Sequence, residues 1–179
     1  RLVSFAGRAC RQQLFTGSLG CLSLRLGDGT FLITPIGADC TCLDETELIR
    51  VEMATKREKP LPVEVDMHAQ IYQRHPEIHC IIGACPVYSM AFAGAPLDLT
   101  LMPESYVQLR ELRRISFHEG LADPKKIACL LSPEAPALLW ENGQLIVVGN
   151  SLLQTFDRLE VVERTAQAIW MVQDIGRAV

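Results

Sequence analysis

Apolar and polar positions along the chain alternate between helical and strand-like spacing, and turn residues punctuate the changes. Residues 3–14 follow helical periodicity and are expected to stop at the Thr16 and Gly17 turn. Leu22 and Leu24, then Phe31, Leu32 and Ile33, flank Gly27, Asp28 and Gly29, which is the chemistry of a hairpin turn. A third strand is predicted over 48–53, after a polar loop through Asp44 and Glu45. The charged connection 56–60 follows, and Pro60 and Pro62 fix the entry to a helix that Pro76 closes. Glu64 and His68 lie four residues apart on that helix, hence on one face. The apolar run 78–82 reads as a strand that delivers Gly83, Ala84 and Cys85 to its end, where polar chemistry usually sits.

Beyond that strand, 86–94 reads as a short helix or turn and 103–114 as a helix with Glu111 near its basic end. Asp123-Pro124 opens another short helix through Cys129. Residues 137–140 and 145–148 flank Asn142-Gly143, the strongest local hairpin signal in the sequence. A final helix over 151–175 carries Leu152, Phe156, Leu159, Val162, Ala166, Ile169 and Trp170 on one stripe. Strands and helices alternate irregularly among hairpins, which predicts an α/β class with a mixed, mainly antiparallel sheet.

The 179 residues, 49% of them apolar, suit one domain spanning 1–179 with a sizeable core. A net charge of -4 with dispersed basic residues makes a poor phosphate-backbone binder, so no nucleic acid is expected as a partner. The most apolar region, 81–102, has the length of a membrane span but contains Pro86, Gly94, Pro96 and Asp98, so it is read as buried core. The N-terminal segment lacks the continuous apolar block of a signal peptide. Seven cysteines without framework spacing fit reduced thiols, and a cytoplasmic location is expected. Cys40 and Cys42, one residue apart, read as reduced loop cysteines rather than metal ligands.

Several segments in this order carry a resemblance: 17–25 (GSLGCLSLR) with 31–37 (FLITPIG), 64–72 (EVDMHAQIY), and 138–149 (LLWENGQLIVVG) with 160–166 (EVVERTA). Together they resemble the class II aldolase/adducin family, over nearly the whole chain. The resemblance implies a three-layer α/β/α sandwich and, for the enzymes of the family, a zinc ion on a His-x-His-Pro motif at a strand end and on a histidine in an Asn-His-Gly hairpin. Those histidine positions fall on Gly83, Cys85 and Asn142, with Pro86 and Gly143 retained. Glycine has no side chain, and an asparagine amide oxygen is a weak ligand. No metal and no other cofactor is therefore expected, although zinc is the family's rule.

The phosphate loops implied by the resemblance read Gly20-Cys21-Leu22-Ser23, Thr34-Pro35-Ile36-Gly37 and Leu61-Pro62-Val63-Glu64. The backbone scaffold of Gly20 and Gly37 persists, while the family's asparagine is Cys21 and its hydroxyls are Ile36, Pro62 and Val63. Charge-assisted bonds to a phosphate dianion would be largely lost.

Glu64 falls where the family's aldolases keep the carboxylate that moves the substrate proton. It is either a general base or a helix N-terminal carboxylate stabilised by the dipole. His68 reads as a satisfied structural histidine, and Cys21 and Cys85 map to the cleft rim. The expected binding cleft thus comprises Gly20, Cys21, Thr34, Gly37, Glu64, Gly83, Cys85 and Asn142.

Two functions follow from this reading. One is a non-catalytic binding, regulatory or structural role in which a small molecule or a protein is the partner. The alternative is a lyase of aldolase, epimerase or dehydratase type that uses Glu64 on a small sugar or carbonyl compound. The resemblance also implies a homo-oligomer, with a tetramer favoured. Trp170, Met171 and Val172 widen the apolar stripe of the final helix for a partner, or else Trp170 and Met171 pack beneath the N-terminal helix.

Overall fold

A computed structural model describes residues 1–53 and 61–177, so the predicted connection 56–60 and Pro60 lie outside the described residues. Seven strands form one sheet: β1 Gly20–Arg25, β2 Thr30–Ile33, β3 Ile49–Glu52, β4 Cys80–Ala84, β5 Leu112–Ile115, β6 Ala137–Trp140 and β7 Leu145–Gly149. Their order is β3-β2-β1-β4-β7-β6-β5, and every pairing is antiparallel except β5 with β6. The helices are α1 Leu2–Arg11, α2 Val63–Arg74, α3 Val87–Ala91, α4 Pro103–Leu109, α5 Phe117–Ala122, α6 Pro124–Leu130 and α7 Leu152–Arg177.

Side-chain alternation along the strands builds two cores. Leu22, Ile82, Leu139 and Val147 point to one face, where Leu2 and Ala6 of α1 and Phe156, Leu159 and Val162 of α7 cover them. Cys21, Phe31, Ile81, Leu138 and Ile146 point to the other, under Met67, Ile71 and Tyr72 of α2 and Ile127 of α6. The result is an α/β/α sandwich. β4, β6 and β7 are buried at every position, which is why they read as unbroken apolar runs rather than alternating ones.

Two charged side chains fix helix ends to the frame. The Arg25 guanidinium donates to the carbonyls of Tyr72, His75 (2.8 Å) and Ile78 (2.8 Å) and lies 4.8 Å from the Tyr72 ring centroid, so a cation meets the carboxyl end of α2. Glu163 of α7 accepts from the backbone N–H groups of Tyr88 (3.0 Å) and Ser89 (2.8 Å) at the start of α3.

The structure revises several predicted boundaries. α1 stops at Arg11, and Gln13 at φ 59° turns the chain before the Thr16 and Gly17 turn is reached. Gly83 and Ala84 lie inside β4 rather than beyond it. The helix predicted over 103–114 ends at Leu109, because Arg110 adopts φ 59°, and Leu112–Ile115 becomes the strand that extends the sheet beside β6. Glu111 sits in the intervening turn, paired with Arg113 at 3.1 Å. Trp170 leaves the buried stripe of α7: it is 47% exposed, and its ring centroid lies 6.0 Å from that of Tyr88. None of the described helices is long and apolar enough to cross a membrane.

Candidate functional site: an apolar cleft with one carboxylate

The amino-terminal end of β1, the end of β4, the β6–β7 turn and the starts of α2 and α5 converge on a cleft of about 200 Å³. Ser18, Leu19, Gly20 and Cys21 form one side, and Cys85, Trp140, Gly143 and Gln144 another. Ile36, Val63 and Glu64 come from the β2–β3 connection and the first turn of α2, and Phe117 and Leu121 from α5. Phe117 stacks on Trp140 with centroids 5.6 Å apart and an interplanar angle of 17°, while the Trp140 Nε1–H donates to the Phe117 carbonyl at 3.1 Å. That pair makes the aromatic wall. Glu64, half-buried at the second position of α2, is the one charged side chain in the lining among the described residues.

Cys21 at the cleft floor joins a buried polar chain. Its Sγ lies 3.4 Å from His68 Nε2, His68 Nδ1 lies 2.7 Å from Ser23 Oγ, and Ser23 Oγ lies 2.8 Å from the Tyr72 hydroxyl, which donates to the His79 carbonyl at 3.4 Å. A carbonyl can only accept, so a single proton arrangement satisfies every link: Cys21 S–H to Nε2, Nδ1–H to Ser23, Ser23 to Tyr72, and Tyr72 to the carbonyl. Burial lowers the His68 pKa to about 3 and raises Cys21 to about 12, the latter opposed by a backbone hydrogen bond from Gly83 and reinforced by the nearby Glu64 charge. The pair is therefore neutral, the reverse of a thiolate–imidazolium nucleophile. Burial also raises the Cys85 thiol, which donates to the Gly143 carbonyl at 3.3 Å.

Of the positions named from the sequence, Gly20, Cys21, Glu64 and Cys85 border this cleft together. Gly83 lies directly beneath it: a Cβ built there would stand 2.2 Å from Gln144 Oε1 and 3.2 Å from Cys21 Sγ, so the Gln144 side chain fills the space a larger residue at 83 would need. Thr34 is buried and accepts from the Leu22 backbone N–H at 3.1 Å, which makes it part of the β1–β2 scaffold. Gly37, at φ 81°, and Asn142, at φ 56°, are exposed and are not among the lining residues. Sequence reasoning missed Leu19, Phe117, Leu121, Trp140 and Gln144. Only Gln144 carried a signal, as a polar residue beside the Asn142-Gly143 turn at the start of an apolar strand.

A zinc ion held as the resemblance implies does not fit these residues. Gly83 offers no ligand, the Cys85 thiol is turned to a carbonyl, Asn142 is outside the cleft, and His68 has both ring nitrogens engaged. Among the described residues no three His, Cys, Asp or Glu side chains are grouped to hold a metal ion.

Residues 1–170 match the family profile described as Class II Aldolase and Adducin N-terminal domain. The chain belongs to the class II aldolase/adducin family. It is 29% identical over 169 residues to a 3-oxo-tetronate 4-phosphate decarboxylase of Pectobacterium atrosepticum, a match that covers 89% of this chain and 77% of that one. It is 26% identical over 163 residues to an L-fuculose phosphate aldolase of Methanococcus vannielii, covering 90% and 89% of the two chains. In three dimensions it matches the L-fuculose-1-phosphate aldolase of Thermus thermophilus with a TM-score of 0.86 at 22% identity, covering 99% of this chain and 95% of that one. This likeness is one of fold. The family assignment thus rests on the sequence profile, and the sandwich agrees with it.

Proposed function

We propose that this class II aldolase-like chain has kept the fold and cleft of its family and lost the zinc and phosphate chemistry, and that it acts as a non-catalytic small-molecule-binding protein in the cytoplasm. The observation that carries this reading is Gln144 lying in the space beside Gly83, where the first metal-binding histidine of the family would stand. Without that ligand, and with the Cys85 thiol protonated against the Gly143 carbonyl, the described residues offer no metal site to polarise the substrate carbonyl for carbon–carbon cleavage or decarboxylation. Ile36 and Val63 on the cleft wall supply apolar surface where phosphate oxygens need donors. Glu64 remains as a carboxylate at the second position of α2. The seven free cysteines agree with a reducing compartment.

The test follows from the relatives' activities. The purified chain, with and without added zinc, is incubated with L-fuculose phosphate and with 3-oxo-tetronate 4-phosphate. Products are expected to stay at the level of a Glu64→Gln variant. Turnover that zinc restores and Glu64→Gln abolishes would overturn the reading in favour of a lyase.

A further inference from the structure

The lining of the cleft specifies more than a loss. Ile36, Val63, Leu121, Phe117 and Trp140 present aliphatic and aromatic surface, and among the described residues Glu64 presents the only charge in the lining and has no hydrogen bond. Among those residues no lysine, arginine or histidine borders the cavity. An anionic ligand would meet a carboxylate at short range with no cation among the described lining residues to offset it. A neutral polar ligand would leave the carboxylate partly desolvated and unpaired, which also costs free energy. A cation relieves that cost, and the aromatic wall of Phe117 and Trp140 accepts an apolar body beside it. The volume of about 200 Å³ limits the ligand's size, since an apolar cavity of roughly 150 Å³ admits benzene.

We propose that the cleft binds a small organic ammonium ion with a compact apolar or aromatic body, its ammonium on Glu64 and its body against Phe117 and Trp140. This inference rests on the reading that the site no longer holds zinc and phosphate. Its occupant is opposite in charge to the sugar phosphates named for the relatives. Glu64 changes role accordingly, from a proton carrier to the counter-ion that sets ligand specificity.

Benzylamine, benzyl alcohol and benzyl phosphate share one body and differ in charge, so calorimetric titration of the full chain with the three isolates the effect. Saturable benzylamine binding is expected, about tenfold tighter than benzyl alcohol, with no binding of benzyl phosphate. Glu64→Gln should bring the amine down to the affinity of the alcohol while leaving the circular dichroism spectrum unchanged. Leu121→Lys, at a position 48% exposed, places a cation at the mouth and should weaken benzylamine and admit benzyl phosphate without requiring any change at Glu64. Equal binding of amine and alcohol, an amine affinity unaffected by Glu64→Gln, or no saturable amine binding into the millimolar range would each overturn the proposal. None of these outcomes depends on the turnover assay, so the two readings fail separately.

Discussion

At the scale of single residues, His68 carries the largest electrostatic commitment near the cleft. It is fully buried, and both ring nitrogens are engaged, Nε2 by Cys21 and Nδ1 by Ser23. In the folded chain its pKa is lowered from 6.5 to about 3 by burial. The unfolded chain therefore binds a proton that the folded chain refuses, at every pH between those two values. Stability contributed by the neutral imidazole is complete above pH 6.5 and is lost as pH falls below it, with a slope of about 1.4 kcal/mol per pH unit. Asp28, Asp39, Asp44 and Asp98, whose pKa values are lowered first of all by hydrogen bonds from neighbouring threonines, lose stability in the same direction on acidification, but below the usual carboxylate range. The window from about pH 6.5 to about pH 5 thus separates His68 from these carboxylates. Urea denaturation at half-unit steps should show a falling midpoint for the natural chain and a flatter profile for His68→Gln, and parallel profiles would show that His68 titrates normally in the fold.

At the scale of elements, the end of β4 and the β6–β7 turn still face one another, as the contact between the Cys85 thiol and the Gly143 carbonyl demonstrates. Restoring histidine at 83, 85 and 142 is therefore expected to rebuild a metal site, provided the space beside position 83 is opened. Asn142 already holds the left-handed backbone conformation, which histidine tolerates better than most residues. At position 83, by contrast, a new Cβ meets Gln144 Oε1 at 2.2 Å. Adding Gln144→Ala to Gly83→His, Cys85→His and Asn142→His should accordingly give about one zinc per chain after dialysis, and the triple variant with Gln144 retained should hold less. If the folded quadruple variant retains none, the two elements do not present their side chains to a common point.

The same elements show what sequence could and could not say. The hairpins at Gly27–Gly29 and Asn142–Gly143 were legible because their turn chemistry is local, and the central strands because burial on both faces leaves an apolar run. β5 was not, because Arg110 ends α4 in a left-handed conformation without the glycine that would announce it. Nor was the α5 wall of the cleft: Phe117 and Leu121 border it only because β5 runs parallel to β6 and carries α5 to the hairpin end of the sheet. Family motifs located Gly20, Cys21, Glu64 and Cys85 at the cleft, while Phe117 and Leu121 lie outside every quoted motif.

At the scale of the whole molecule, apolar surface is left without cover. Trp170 and Met171 are each 47% exposed and Val172 is 67% exposed, so the alternative in which these residues pack beneath α1 is not the arrangement adopted. Trp170 instead meets Tyr88 of α3, whose neighbour Val87 is 65% exposed. Large exposed apolar residues gathered in one place mark contact surfaces, whereas scattered ones need no explanation. The cleft is lined by other residues, from α2, α5 and the ends of β1 and β4. A homo-oligomer, with a tetramer favoured, is the expected state. Light scattering at micromolar concentration should give a mass near four times the 19.9 kDa of one chain, and a mass near 19.9 kDa would refute assembly. Trp170→Ala should lower the mass toward the single chain without loss of helical signal, because the residue removed is half-exposed and contributes little to either core. An unchanged oligomer in that variant would move the interface to another exposed apolar group, such as Leu101, Tyr106 and Val107 around α4.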